Sequence, residues 1–212
     1  MELMAQVVDL ALHIDRHLLA FLHDYGLWIY ALLFAIIFAE TGFVVTPFLP
    51  GDSLLFAAGA LAAGSGLDVQ WLIALLIAAS FGGDNTNYWI GHHLGPRVFR
   101  RQDSWLLNRD YLDRTRAFYD SHGRKTVFLA RFLPILRTFA PFVAGVGRMP
   151  YARFLGFSLA GSIAWVMLFV LAGFYFGQLP VVRQNLTLVM LGIVVVSVLP
   201  GFIAWLRHRF TR

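Results

Sequence analysis

Cysteine is absent from the 212 residues of this chain. Disulfides, thiol nucleophiles and cysteine-ligated metal sites are therefore excluded. The chain also contains neither a phosphate-loop motif nor a Gly-x-Ser-x-Gly motif, which argues against an ATP-driven process and against serine hydrolysis. Two of its histidines, His92 and His93, are adjacent, but no third ligand follows at a spacing typical of zinc sites. We therefore expect no metal, no cofactor and no enzymatic activity.

Charged residues are also scarce. They make up 14% of the chain, whereas hydrophobic residues make up 58%, and the mean hydropathy is +0.67. Two runs without any charge, 154–182 and 186–206, are each long enough to cross a hydrocarbon core of about 30 Å. This composition predicts an all-α, multi-pass membrane protein.

The net charge of +5 does not indicate nucleic-acid binding. Eight Lys or Arg residues lie in the segment 92–125 and three more follow residue 206, so the bases flank apolar runs. Such a distribution is a signal of membrane topology, and no basic stripe carries the interleaved aromatic residues of a nucleic-acid groove. We expect the segment 92–125 and both termini to lie in the cytoplasm.

Two similar stretches, 48–59 and 132–145, place breaking residues and charges inside apolar sequence. Both begin with Phe-Leu-Pro and end with Ala-Gly, and the second is two residues longer. The residues predicted to break the helices are Pro50, Gly51, Pro134 and Pro141. Paired broken segments in two halves of a membrane protein indicate the binding site of a transporter.

The order of these segments predicts one membrane domain over residues 1–212. Two re-entrant hairpins would enter it from opposite sides, as inverted repeats that meet near the membrane midplane. The first predicted part is an interfacial helix at 1–24. Residues 27–90 would form a spanning helix at 27–45, a re-entrant hairpin and a second spanning helix at 69–90. A cytoplasmic amphipathic connector with surface helices would follow at 92–125, and a second re-entrant hairpin with two spanning helices would lie within 126–206.

Five ionisable residues lie in or beside apolar sequence: Glu40, Asp52, Asp84, Arg131 and Arg137. An unpaired charge in mid-membrane costs about 3 kcal/mol on insertion scales, so these groups need partners. In one interpretation they form structural ion pairs that hold the hairpins together. In the other they line a substrate and ion pathway, which is the usual role of ionisable residues inside a membrane.

The types of these residues favour an anionic substrate. Arg131 and Arg137 are six residues apart across Pro134, so a broken helix can turn both toward one cavity. A guanidinium group is always charged and binds phosphate through paired donors, which predicts a phosphate-bearing lipid or another organic anion as substrate. Burial favours the neutral form of a carboxyl group and a nearby arginine favours its charged form, so Glu40 and Asp52 are predicted to carry protons.

Asp84 lies in a polar run, Gly-Gly-Asp-Asn-Thr-Asn-Tyr, at 82–88. Its carboxylate suits either of two roles. It can cap or orient the neighbouring hairpin through hydrogen bonds, or it can take part in the transport pathway. The sequence leaves both roles open.

Four motifs in order resemble the DedA family over roughly residues 27–180. They are Glu-Thr-Gly at 40–42, Phe-Leu-Pro-Gly-Asp-Ser-Leu-Leu at 48–55, Gly-Asp-Asn-Thr-Asn-Tyr-Trp-Ile-Gly at 83–91 and Arg-Phe-Leu-Pro-Ile-Leu-Arg at 131–137. One departure from the family pattern follows the second hairpin, where the family often has a serine-rich stretch or an asparagine and this chain has Phe-Ser-Leu-Ala-Gly at 157–161.

This resemblance implies a bacterial inner-membrane protein with two opposed re-entrant hairpins, related to lipid scramblases of the eukaryotic endoplasmic reticulum. It further implies that the protein returns undecaprenyl phosphate, the carrier lipid of cell-envelope synthesis, across the membrane in a process that depends on the proton gradient. The essential acids of the family fall on Glu40 and Asp52, and its essential arginines fall on Arg131 and Arg137.

We therefore expect a flippase in which the arginines bind the lipid phosphate and the acids carry protons. Three alternatives remain at this stage. A proton-coupled antiporter or exporter for a small solute would use the same acids, a lipid phosphatase would release inorganic phosphate, and a structural membrane protein would use the charges only as ion pairs.

Overall fold

The computed structural model describes residues 18, 21–22, 24–43, 51–98, 131, 134–185, 188–189 and 191–193. Within these ranges the chain is helical and contains no β-strand, which confirms the predicted all-α class. The helices are α1 (Trp28–Gly42), α2 (Gly51–Ser65), α3 (Val69–Val98), α4 (Pro134–Val146), α5 (Tyr151–Phe176) and α6 (Pro180–Gln184). The predicted helix at 1–24, the connector after residue 98 and the final span at 186–206 lie wholly or mostly outside the described residues, and the predicted domain boundaries stay predictions.

Among the described residues, α5 alone combines the length and the apolar composition needed to cross a bilayer. Its 26 residues extend about 39 Å at a rise of 1.5 Å per residue. α3 is longer, with 30 residues, but a polar run in its second half interrupts its apolar sequence. α1 and α2 have 15 residues each, which is about 22 Å and less than a hydrocarbon core of about 30 Å.

Three helix ends differ from the predicted ones. α1 ends at Gly42 rather than at residue 45, and α3 continues to Val98 although its glycines predicted an end at residue 90. A glycine inside a helix costs only about 1 kcal/mol, so favourable packing can carry a helix through it. The charge-free run from residue 154 is also divided, since α5 ends at Phe176 and Pro180 begins α6.

The chain forms two compact units, each of which has its own packing. The first unit comprises residues 1–37, 48–77 and 164–212. Its central element is α2, in which 11 of 15 residues are buried. A Cβ atom on Gly173 would overlap the carbonyl of Phe56, and one on Gly59 would overlap that of Val170. The glycines therefore allow α2 and α5 to touch through their backbones.

The second unit comprises residues 38–47 and 78–163, and glycines hold its helices equally close. A Cβ atom on Gly83 would overlap the hydroxyl of Thr41 in α1, and Cβ atoms on Gly91 and Gly145 would overlap backbone at the contact between α3 and α4. Tyr88 completes this packing by donating its hydroxyl to the carbonyl of Met149 at 2.6 Å. The close approach of α1, α3 and α4 brings the polar side chains of these helices together.

Candidate functional site

Four of the five ionisable residues singled out in the sequence lie in the second unit. They are Glu40, Asp84, Arg131 and Arg137, which we call the charge cluster. Their exposed fractions are 1%, 0%, 4% and 5% respectively. All four side chains are therefore buried, and the structure decides which acid contacts which arginine.

Arg137 pairs with Glu40. The Nη2 atom of Arg137 donates to Oε1 of Glu40 at 2.5 Å. Arg137 lies in the first turn of α4, and Glu40 lies two residues before the end of α1. The pair thus joins two helices that are far apart in sequence.

Arg131 pairs with Asp84, and this pair is surrounded by hydroxyl groups. The Nη1 atom of Arg131 donates to Oδ2 of Asp84, and its Nη2 atom donates to the hydroxyl of Ser80, one helical turn before Asp84 on α3. Ser158 on α5 donates its hydroxyl to the same Oδ2 atom at 2.6 Å. The hydroxyl of Ser162, one turn further along α5, lies 3.4 Å from the hydroxyl of Ser80. The side chains of one face of α3 and one face of α5 therefore hold Arg131.

The two ion pairs act on each other. Asp84 interacts electrostatically with Arg137 as well as with Arg131, and Arg131 interacts with Glu40 and Arg137. Two positive and two negative groups therefore share one buried region. Their formal charges cancel, which is the condition for burying several ionised groups at tolerable cost.

Asn87 holds the backbone next to Glu40 and the backbone next to Arg137. Its Nδ2 atom donates to the carbonyl of Thr41 at 3.1 Å and to the carbonyl of Thr138 at 2.7 Å. These threonines directly follow Glu40 and Arg137 in the chain. The sequence shows the polar run that contains Asn87, but it does not indicate that this one amide joins α1, α3 and α4.

Asp52 lies in the first unit, with a different kind of partner. It is buried in the first turn of α2, where a negative charge interacts favourably with the helix dipole. The Nε1 atom of Trp165 donates to its Oδ1 atom at 2.8 Å. The sequence identified Asp52, but it missed Trp165, because an indole within an apolar span looks like any other buried aromatic residue.

The residues predicted to break the helices play different parts. Pro50 lies outside the described residues, and Gly51 is the first residue of α2. Pro134 is the first residue of α4, a position that suits proline, so Arg131 precedes the helix and Arg137 belongs to it. The prediction that Pro141 breaks its segment is wrong, because Pro141 lies inside α4. Its ring removes one helical hydrogen bond, the one that would reach the carbonyl of Arg137, and the rest of the helix continues around it.

Among the described residues no three His, Asp or Glu side chains are grouped as a metal site would require. The charge cluster instead offers guanidinium groups, carboxylates and hydroxyls. Guanidinium groups and hydroxyls are donors for phosphate oxygens, and carboxylates can take up protons. The arrangement is therefore suited to binding an anion and to exchanging protons.

Comparison with known proteins adds a family context. The VTT domain matches residues 49–175. The chain is 51% identical over 211 residues to protein DedA of Escherichia coli K12, covering 99% of this chain and 96% of that protein. It is 43% identical over 175 residues to an uncharacterized membrane protein of Mycobacterium leprae, covering 82% of this chain and 78% of that protein. It is also 33% identical over 186 residues to the inner membrane protein YghB of E. coli K12, covering 86% and 84%. No solved structure matches the chain.

Proposed function

The chain belongs to the DedA family of VTT-domain membrane proteins, and we propose that it transports undecaprenyl phosphate across the bacterial inner membrane for reuse in cell-envelope synthesis. In this proposal Arg131 and Arg137 bind the lipid phosphate, Glu40 and Asp52 carry protons, and the polyprenyl chain stays in the bilayer. The protein catalyses no covalent reaction. One observation carries the proposal: two buried arginines share one cluster with two buried carboxyl groups.

The cluster addresses the most costly step of lipid translocation. A bare phosphate moved into hydrocarbon loses its hydration, which is expensive unless charged or hydrogen-bonding groups replace the water. Arg131 and Arg137 are held in place by protein contacts, so they offer donors that need little reorganisation. Their planar guanidinium groups match phosphate geometry better than lysine would.

The acids couple the binding of phosphate to the uptake of protons. Glu40 is the counter-ion of Arg137 in the structure. Protonation of Glu40 weakens its hold on Arg137 and makes the guanidinium available to a phosphate. Asp52, held by Trp165 in the other unit, is the second proposed proton carrier. A proton gradient would then favour loading of the lipid on the side where the acids take up protons.

Exposed aromatic residues support the placement of α3 across the membrane. Trp71 and Trp89 are 68% and 42% exposed, and their 18-residue spacing corresponds to about 27 Å along the helix. Tryptophans favour the two membrane interfaces, which lie about 30 Å apart. Asp84 precedes Trp89 by five residues, or about 8 Å. The charge cluster is thus proposed to lie nearer to the interface from which the basic segment 92–125 continues.

The short helices support the proposed re-entrant hairpins. α2 and α4 have 15 and 13 residues, or about 22 and 20 Å, so neither reaches across the hydrocarbon core alone. In the proposal they enter from opposite sides as an inverted pair, with both termini of the chain in the cytoplasm. The excess of Lys and Arg in the segment 92–125 supports this orientation.

The test is translocation of labelled undecaprenyl phosphate in proteoliposomes that contain this protein alone, with and without a pH gradient. The sharpest variant is Arg137→Lys, which keeps the positive charge facing Glu40 but removes the fork that pairs with phosphate oxygens. We expect wild-type transport to increase with the gradient and the variant to lose at least tenfold in rate. Polyprenol without phosphate serves as the control lipid.

The outcomes separate the alternatives. Wild-type protein that moves no lipid under either condition would contradict the proposal and favour a small-solute antiporter. Release of inorganic phosphate from undecaprenyl diphosphate would indicate a phosphatase. Full transport by folded Arg137→Lys would show that Arg137 supplies only charge, and the predicted paired contact with phosphate would be wrong.

A further inference from the structure

Asp84 is a buried carboxylate to which the proposed transport assigns no role so far. Its Oδ2 atom accepts hydrogen bonds from Arg131 and Ser158. Its Oδ1 atom is buried and has no hydrogen-bond partner among the described residues. An unpartnered buried oxygen costs about 1–3 kcal/mol, so a fold that keeps one calls for an explanation.

The charge balance of the cluster supplies that explanation. Arg131 and Arg137 carry two positive charges, and the carboxylates of Glu40 and Asp84 cancel them. A phosphate monoester adds a charge of about −1.5 to −2 near neutral pH. Burying that charge without compensation costs several kcal/mol. Two protons taken up by the cluster would restore neutrality, and Glu40 can accept only one of them.

The hydrogen bonds of Arg131 lead to the same conclusion. Its two terminal nitrogens are occupied by Asp84 and Ser80. A phosphate can replace Asp84 as the partner of Nη1 if Asp84 loosens its hold, and neutralisation of the carboxylate achieves this. The Oδ1 atom is the natural place for the proton, because Oδ2 can then still accept from Ser158.

We propose that Asp84 takes up a proton when the phosphate binds, as the second proton acceptor of the charge cluster beside Glu40, and that it acts through Arg131. This inference rests on the proposed function. With both acids neutralised, the two arginines balance the charge of a phosphate dianion. Asp84 is a positioning residue, since it holds or releases the arginine that binds the substrate.

The charged groups that act on Asp84 within the described residues are Arg131 and Arg137, and Glu40 in turn acts on Arg131. Its other close partner, Ser158, is uncharged. Tyr88, one turn further along α3, donates its hydroxyl to the carbonyl of Met149 instead. The response of Asp84 to pH therefore depends on the two arginines and on the state of Glu40.

The test measures how the affinity for a fluorescent polyprenyl phosphate depends on pH, with purified full-length protein in nanodiscs. The dissociation constant is measured between about pH 7 and 8.5, where a phosphate monoester is mostly dianionic. If binding takes up two protons, the dissociation constant rises by up to about a hundredfold per pH unit, and if it takes up one, by about tenfold. We expect wild type to approach the steeper dependence and Asp84→Asn the shallower one.

Two further variants make this test specific. Asp68→Asn removes the same charge from an exposed residue that caps α3 through the N–H groups of Gln70 and Trp71, so it should keep the wild-type dependence. Glu40→Gln leaves Asp84 in place and should retain an uptake of about one proton, which provides an answer even if Asp84→Asn does not fold. The contribution of the lipid phosphate is common to all variants and cancels in the comparison.

Equal pH dependence in wild type and folded Asp84→Asn, or no proton uptake in Glu40→Gln, would overturn the role of Asp84 while phosphate binding stands. If wild type does not distinguish polyprenyl phosphate from polyprenol at any pH, the proposed function fails and this inference fails with it.

Discussion

The pairing of Glu40 with Arg137 predicts a strong thermodynamic coupling between two residues separated by 97 positions. The perturbation consists of three variants, Glu40→Gln, Arg137→Gln and the double variant with both changes. Glutamine keeps much of the size and some of the hydrogen bonding of either side chain but carries no charge. The three variants thus separate the loss of the ion pair from the loss of volume.

The expected magnitudes follow from burial. The side chains of Arg137 and Glu40 are only 4% and 1% exposed, so either single change leaves the other charge without its counter-ion in a buried site. Breaking a buried pair in this way costs about 3–5 kcal/mol, whereas replacing both charges by neutral groups is often nearly neutral. We therefore expect each single variant to lose about 3 kcal/mol and the double variant to be clearly more stable than either.

Unfolding in mixed micelles provides the assay, because the six tryptophans of the chain report the transition by fluorescence. Free energies of unfolding are obtained by linear extrapolation to zero denaturant. The double variant should remain folded and yet lose transport of undecaprenyl phosphate, which separates the role of the charges in stability from their role in binding.

Two results would refute this reasoning. If the effects of the single changes simply add in the double variant, Glu40 and Arg137 do not contact each other, and the geometry of the cluster is wrong. If the double variant is stable and transports the lipid at the wild-type rate, the pair is only a structural link, as one interpretation of the sequence allows.

Three further predictions concern single contacts, and each is checked by the same unfolding measurement. Trp165→Phe removes the N–H donor to Asp52 and should cost about 1–3 kcal/mol of stability. Asp52→Asn keeps the acceptor, so it should retain most of the stability while losing proton coupling in transport. Equal stability of Trp165→Phe and wild type would contradict the contact. Gly173→Ala places a Cβ atom against the backbone of α2 and should cost about 1–3 kcal/mol. Its control on the same helix, Gly156→Ala, meets nothing within 4 Å and should stabilise the protein by about 0.5–1 kcal/mol; a reversed order would argue against the packing of α2 on α5. Asn87→Ala leaves two carbonyls without their donor and should cost about 2 kcal/mol, so an unchanged stability would mean that these bonds do not hold the cluster.

The sequence by itself determined the class of the protein and the candidate residues of the site. An apolar chain with so few charges must bury its helices in lipid or in each other, and any ionisable residue in such surroundings is conspicuous. For that reason Glu40, Asp52, Arg131 and Arg137 could be identified from their surroundings in the chain.

Only the tertiary structure decided which partners meet. Asp84 could be read as a cap or as part of the pathway, and its pairing with Arg131 depends on how α3 and the segment before α4 pack, which no local pattern encodes. The sequence did not indicate the partners of Ser158, Asn87 and Trp165, because their side chains acquire a role only when another helix brings a charge or a carbonyl within hydrogen-bonding distance. Periodicity and composition describe one helix at a time, whereas an ion pair between distant residues is a property of the packed fold.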